Sequence, residues 1–309
     1  MHLSPSTLGD WAAAAADMLE PIYKRARART LVCYLLSLDD TGMPVLDREH
    51  PNGIKRGHLW TYLGDAGRIG FCEYTPTWEQ DPPCAVIAEF QGEVVQADGY
   101  AGIDAAFRRP DAPVRAGCMD PLPTTVRICN AGWRRPGLDR GRSYRKALRR
   151  RGDARRDGAD LDELLRLRRE LSQPVMDQLQ RVVADLHQGL VPLGKATTYA
   201  IRQWDTLTVF LDDARVPLSN AHVERQQRRT GLSFEKMRCS PAPTKEPSAW
   251  PSCKPSSSTA SCTASRCSPT CATSLGKLAA SWPHSRLDEL LPDAWAGRAE
   301  TTEPRRSSP

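Results

Sequence analysis

The chain has no long apolar run. No stretch approaches the roughly 18 consecutive apolar residues that cross a bilayer, and the amino terminus lacks the basic-then-apolar pattern of a secretory signal. No membrane partner is therefore expected, and a cytoplasmic protein with reduced thiols is the reading. Aromatic residues are sparse, 6% of 309, so aliphatic side chains must build most of the core. Ten cysteines are present, but metal-type spacing is lacking where they cluster. Cys239, Cys253, Cys262, Cys267 and Cys271 share a Ser/Pro/Thr-rich tract without a Cys-x-x-Cys pair, which argues against a zinc-binding regulatory protein. A general basic excess is missing too. The formal charge of +6 invites a nucleic-acid reading. Yet Arg127–Arg156 holds twelve Lys or Arg against Asp139 and Asp153, a net +10, and the remaining 31 basic and 35 acidic residues come to −4. The positive charge belongs to one odd segment.

What the chain does contain is a succession of short strand patterns that lead to acids. Ser6 to Arg27 reads as a helix, with Ser6 or Thr7 as its cap and Leu8, Trp11, Met18, Leu19, Ile22 and Tyr23 at helical spacing. The apolar run Leu31–Leu36 then reads as a buried strand that leads to Asp39-Asp40-Thr41-Gly42. Gly57–Leu63 alternates as a sheet strand, with Phe71–Tyr74 as its neighbour. Ala85–Phe90 follows in the same succession and leads to a central strand at Val94-Val95, which stops at Asp98-Gly99. Glycine there permits a sharp turn and close approach of a ligand. Taken alone, Asp98-Gly99 is as compatible with a hairpin turn as with a site. Further on, Leu161–Gly189 reads as helical with an interruption at Pro174, and Asn220 is a candidate cap for a helix that carries Glu224.

Read whole, Gln96-Ala97-Asp98-Gly99-Tyr100-Ala101-Gly102 with its preceding strand resembles the second-acid motif of the insertion-sequence-66 type of bacterial DDE transposase. Asp39–Asp47 and Gly57–Tyr62 are similar to that family's earlier segments, in the same order. The likeness runs from about Thr7 to Cys118 and resumes near Leu161 with Pro192–Ala196, Gln203-Trp204, Leu207 and Phe210-Leu211. Leu218–Arg225 looks like the third-acid motif, and Leu287–Trp295 matches the family's tail.

The resemblance implies an α/β, ribonuclease-H-like mixed sheet with an α-helical insertion and segments of low order. The expected layout is a helix over 1–30, a core with two acids over 31–118 and a basic irregular segment over 119–157. A helical insertion over 158–215, a helix with the third acid over 216–233, a disordered tract over 234–274 and a tail over 275–309 complete it. Asp39, Asp98 and Glu224 are the implied catalytic and metal-binding acids, and Mg²⁺ or Mn²⁺ the implied cofactor. Carboxylates on separate elements suit hard divalent ions, which take oxygen ligands. Asp39 is preferred to Asp40 because the family's acid precedes another acid and Thr; on a continuing strand the two point to opposite faces. The implied partner is DNA, at the element's ends and at its target, and self-association into a homo-oligomer is compatible with this. Lys55, Arg56, Arg225, Arg228 and Arg229 are candidate phosphate contacts. Trp60 and Trp204 are read as core, and His58 and His222 as local hydrogen-bonding residues.

Two stretches depart from the family. After Cys118 the family continues with Trp and a helix, whereas Met119-Asp120-Pro121-Leu122-Pro123 cannot start one. Met has one codon and Asp codons begin with G, so Met119-Asp120 read one base later gives Trp. The segments Met119–Asp157 and about Phe234–Thr273 are therefore read as out-of-frame translation, which composition alone would equally allow as a disordered linker. The expected consequence is a damaged copy with little activity, the alternative being a non-catalytic DNA-binding remnant.

Overall fold

The computed structural model describes residues 4–47, 49–65, 67–119, 160–189, 194–228 and 267–294. Most of the basic segment and of the Ser/Pro/Cys-rich tract, including Cys239, Cys253 and Cys262, lies outside the described residues. So does Arg229. The fold is mixed α/β, and the chain divides into two compact units: Met1–Gly92 with His222–Pro309, and Glu93–Ala221.

The first unit is built on helix α1, Pro5–Leu31. Ser4 caps it, its hydroxyl accepting the Thr7 N–H at 3.1 Å, and Pro5 takes the first position, where no N–H is needed. Ala16, Leu19, Ile22 and Ala26 recur every three or four residues and are buried. Beside α1 lies an antiparallel meander: β1, Leu35–Leu46; β2, Ile54–Gly64; and β3, Ile69–Thr75. The register sets Asp40 opposite Trp60 and Trp60 opposite Glu73, while Asp39 faces Thr61 and Thr61 faces Cys72. Directly opposed residues share a face, and successive residues alternate. The face of Glu73 and Phe71 is the one packed on α1. Tyr23 meets the Phe71 ring edge-on at 6.2 Å and bonds Glu73 at 3.2 Å, and Arg27 pairs with Glu73 and Glu89. Burial and the neighbouring Glu73 carboxylate raise the Tyr23 hydroxyl above its ordinary value.

The same face closes on the carboxyl-terminal residues. Helix Cys267–Ala279 and the 3₁₀ turn His284–Leu290 return to α1, where Leu287, Leu290 and Leu291 join Leu19, Ile22, Ala26 and Ile69 in one buried cluster. Asp288 accepts a two-pronged bond from Arg25 at 2.7 and 2.6 Å, and Asp293 pairs with Arg29 at 2.8 Å.

Three local expectations need correction. The cap of α1 is Ser4, not Ser6 or Thr7. Helix α1 continues through Leu31, Val32 is exposed, and the strand starts only at Leu35. Strand β1, once begun, does continue past the acids, carrying both Asp39 and Asp40 and running on through Pro44 to Leu46. Ala85–Phe90 is no strand: Asp81–Glu89 forms helix α2, with Pro82 and Pro83 in its first turn and Pro83, Val86 and Ile87 buried. A short apolar run does not distinguish strand from helix, and the paired prolines are the stronger signal here.

In the second unit, β4, Val94–Gln96, pairs in parallel with β5, Val114–Ala116, across the 3₁₀ helix Ala101–Phe107. The helical insertion follows as α3, Leu161–Leu167; a π-helical turn, Arg168–Ser172; α4, Gln173–Gly189; α5, Gly194–Arg202; and α6, Trp204–Asp212. The expected interruption near Pro174 is thus a widened turn. Pro174 has no N–H to return to residue 170, and the chain makes a longer-range turn directly ahead of it.

Candidate active site

Asp39 sits midway along β1, half-buried, next to the buried Ser37 and Leu38. Its cross-strand neighbour Thr61 is fully buried, with its hydroxyl 3.6 Å from the Cys72 sulfur. Asp40, on the opposite face, is engaged by His58, whose Nδ1 lies 2.7 Å from Asp40 Oδ2. The His58 ring in turn stacks on Trp78 at 5.8 Å. His58 therefore has the local bond that sequence gives it, and alternation along one strand puts Asp40 and Asp39 on opposite faces. Trp60 is core, 1% exposed, its indole N–H donated to Thr75; Trp204 is half-buried.

Asp98 lies in the second unit, two residues beyond Gln96, the last residue of β4, and is exposed. Its Oδ1 accepts the Tyr100 N–H at 3.1 Å, so the acid is folded back onto its own turn. Gly99 is required there because the Tyr199 ring of α5 occupies the space a Cβ would take. Burial pushes the Tyr199 hydroxyl up to about 12, and the nearby Cys118 and Asp98 add to the shift.

Glu224 stands on a helix over 221–228, half-buried, with Val223 inside at 0% exposure and Gln226 and Gln227 also buried. One helical turn on, Arg228 approaches it at 3.5 Å, a long ion pair between partly exposed groups that is worth little. Arg225 and Arg56 are exposed. Lys55 pairs with Asp47 at 3.1 Å, and that bond holds the Asp47 carboxyl below its ordinary range.

The loop that enters this helix is anchored within the second unit by residues to which sequence reasoning gives no anchoring role. Arg168 is buried and donates to the carbonyls of Phe210, Asp213 and Val216 at 2.6, 2.7 and 3.1 Å. The Gln96 amide donates to Pro217 O at 2.7 Å and to Gly117 O at 3.3 Å. Met119 N–H bonds Leu218 O at 3.1 Å, and Asn220 N–H reaches the Cys118 sulfur at 3.2 Å. A signal exists for Arg168, which follows Leu164 at helical spacing on the buried face. Gln96 has only its place in the Asp98 motif.

Asp39 and Glu224 belong to the first unit and Asp98 to the second. Among the described residues, no three His, Cys, Asp or Glu side chains form a group that could hold a metal ion. Cys33, Cys72, Cys84 and Cys118 stand outside any disulfide among the described residues. Among the described residues no helix is long and apolar enough to cross a membrane.

No solved structure matches the chain. Two curated relatives come from Sinorhizobium fredii (strain NBRC 101917 / NGR234). "Uncharacterized protein y4hP" is 25% identical over 270 residues, covering 75% of this chain and 46% of that protein. "Uncharacterized protein y4jD" is 26% identical over 266 residues, covering 75% and 48%. The chain thus spans about half the length of the curated relatives it matches. The family described as "Transposase IS66 family" matches residues 1–233, a span that includes Asp39, Asp98 and Glu224, and the chain belongs to that family.

Proposed function

We propose that this chain acts on DNA as the catalytic region of an insertion-sequence transposase, cutting and joining strands on a ribonuclease-H-like core with Asp39, Asp98 and Glu224 as its acids. The observation that carries the reading is the family match over residues 1–233, a span that contains Asp39, Asp98 and Glu224. The antiparallel meander, followed by a helix and a parallel strand pair, supports the core assignment. The donor set suits Mg²⁺ or Mn²⁺: all three groups are carboxylates, Asp98 is exposed, and Asp39 and Glu224 are half-open to solvent. When bound, such ions activate a water or a DNA 3′-hydroxyl and stabilise the leaving oxygen. The chain's part is to present three negative charges at fixed places, from a strand, a turn and a helix. Glu224 would exchange its weak contact with Arg228 for this role. Arg228 would then join Arg225, Arg229, Lys55 and Arg56 at DNA phosphates. DNA ends and target are the partners, with homo-oligomerisation compatible.

This copy is impaired in the proposal, because residues 119–157 and 234–273 replace expected helices with Pro-rich and polar sequence. The second reading is a DNA-binding remnant without catalysis, in which the sheet folds but the missing helices at 119–157 and 234–273 leave the acids unassembled. The test is Mg²⁺-dependent nicking and strand transfer on DNA carrying the element's ends. The chain, a frame-restored version, and Asp39→Asn, Asp98→Asn and Glu224→Gln in the restored version are compared. The expected result is stronger activity after restoration and a loss of about 100-fold or more in each acid variant. Activity that survives all three substitutions overturns the triad. DNA binding without nicking in both versions overturns catalysis in favour of the remnant.

A further inference from the structure

Arg115 takes no part in the chemistry just proposed, yet it is a heavily engaged cation beside one of the acids. It stands on β5 opposite Val95 of β4, and its side chain is only 10% exposed. One guanidinium nitrogen, Nη2, donates to the carbonyl oxygens of Asp98 and Tyr100 at 3.1 and 3.3 Å. The other, Nη1, bonds the Asp104 carboxylate in the 3₁₀ helix that follows. The guanidinium carbon lies 5.4 Å from the centre of the Phe107 ring. Three acceptors from the segment 98–104 thus converge on one rigid fork.

The geometry continues to the acid itself. Asp98 Oδ1 accepts the Tyr100 N–H, so the carboxylate direction is set by the same turn whose carbonyls Arg115 grips. An exposed acid on an untethered turn would sample several rotamers, and ordering it afresh at each metal encounter costs conformational entropy. Here the ordering is built in from behind, at main-chain atoms. A lysine could not reproduce this arrangement, because an ammonium is a point donor without the planar fork.

We infer that Arg115 is a positioning residue that fixes the direction of the Asp98 carboxylate through the backbone of its turn. The inference rests on the proposed reading of Asp98 as a metal-ligating acid. Arg115 touches neither DNA nor metal in this scheme, so it is not a catalytic residue. Its loss should loosen the turn locally while β4 and β5 remain paired.

The experiment uses the full chain, and its frame-restored version for nicking, with Arg115→Met, Arg115→Lys and the milder Asp104→Asn, which takes the charge from one anchor but keeps an acceptor oxygen and leaves the arginine in place. Amide hydrogen exchange is followed at Tyr100 and, as an internal control, at Val95 and Gln96 in β4. The Mg²⁺ concentration for half-maximal nicking is measured alongside. The expected result is a rise in Tyr100 exchange of about tenfold or more in Arg115→Met, the contribution of one charge-assisted hydrogen bond. Arg115→Lys and Asp104→Asn should show smaller rises, Val95 exchange should stay unchanged, and the half-maximal Mg²⁺ concentration should rise in the same order. Unchanged Tyr100 exchange overturns the inference. So does an equal rise at Tyr100 and Val95, which would mark Arg115 as a general fold stabiliser, or a loosened turn with unaltered metal dependence. A restored chain that does not nick at all overturns the proposed function instead, and Tyr100 exchange then decides alone whether Arg115 holds the turn.

Discussion

Replacing Arg168 with Met should destabilise the second unit and loosen the loop that leads to the Glu224 helix. Arg168 is 4% exposed, and its guanidinium serves three main-chain carbonyls at the end of α6 and in the loop beyond. Hydrogen bonds to charged groups contribute about 1.5–3 kcal/mol each, so three would amount to about 4.5–9 kcal/mol if they were additive. They are not: neighbouring bonds share strain and relaxation, Met keeps much of the packing against Phe210, and water can reach some of the freed carbonyls. A loss of about 3–5 kcal/mol is the expected net effect, similar to breaking a buried charged network. Arg168→Lys should fall between, since an ammonium reaches fewer carbonyls from one point. Urea unfolding followed by far-UV circular dichroism measures the loss, and amide exchange over residues 213–220 tests whether it is focused there. A loss below about 1 kcal/mol for Arg168→Met, the range of an ordinary surface substitution, would refute the view that this arginine organises the loop.

Other consequences are equally direct. Gly99→Ala should cost about 1–3 kcal/mol as an overpacked position, because its Cβ meets the Tyr199 ring; thermal melting should show recovery in the double variant with Tyr199→Ala. Leu291→Ala, at a position with 0% exposure in the α1 cluster, should cost about 2–5 kcal/mol by leaving a cavity, read as a lowered urea midpoint. Arg25 holds the Asp288 carboxyl below its ordinary value. A depressed folded-state pKa means the contribution is complete above the ordinary value of about 4 and is lost as pH falls through the folded value. Asp288→Asn should therefore lower the urea midpoint slightly at neutral pH and converge with the parent chain as pH falls below that range. Added salt should shrink the neutral-pH difference, since both side chains are about half exposed.

The parts of the fold legible in the sequence are those with period and punctuation together. Gly57–Leu63 alternates and is a strand; Phe71–Tyr74 is its partner; Leu161–Gly189 is helical with its irregularity beside Pro174. Reading fails where an apolar run has no period. Leu31–Leu36 is divided between a helix end and a strand start, and Ala85–Phe90 is a helix whose origin lies in Pro82-Pro83 upstream. Neither can be settled from the run itself, since a few consecutive apolar residues are buried equally well in either geometry. The candidate acids are legible for a different reason. Asp39, Asp98 and Glu224 are candidates because they stand in recognisable local strings, whereas Arg168 and, its Asp104 contact apart, Arg115 act on backbone carbonyls that can belong to any residue type. A donor whose partner is main chain leaves no complementary residue to find in the sequence.

The carboxyl-terminal residues carry the same argument further. The family match stops at residue 233, yet Leu287, Leu290 and Leu291 fill the cluster formed by Leu19, Ile22, Ala26 and Ile69. The Arg25–Asp288 and Arg29–Asp293 pairs flank it. Without this tail, the buried stripe of α1 would face water along its middle turns, and each fully buried leucine contributes about 1.5–3 kcal/mol. The matched region therefore does not supply the whole of its own core. Under the out-of-frame reading, the tail is what lies beyond the altered tract, and it keeps the Leu287–Trp295 string that resembles the family. Its packing on α1 gives that string a structural role: it completes the helix that backs the meander bearing Asp39. Damage upstream of the tail would then disturb the elements around Glu224 before it disturbed the sheet, because α1, β1, β2 and β3 have their own closure in place.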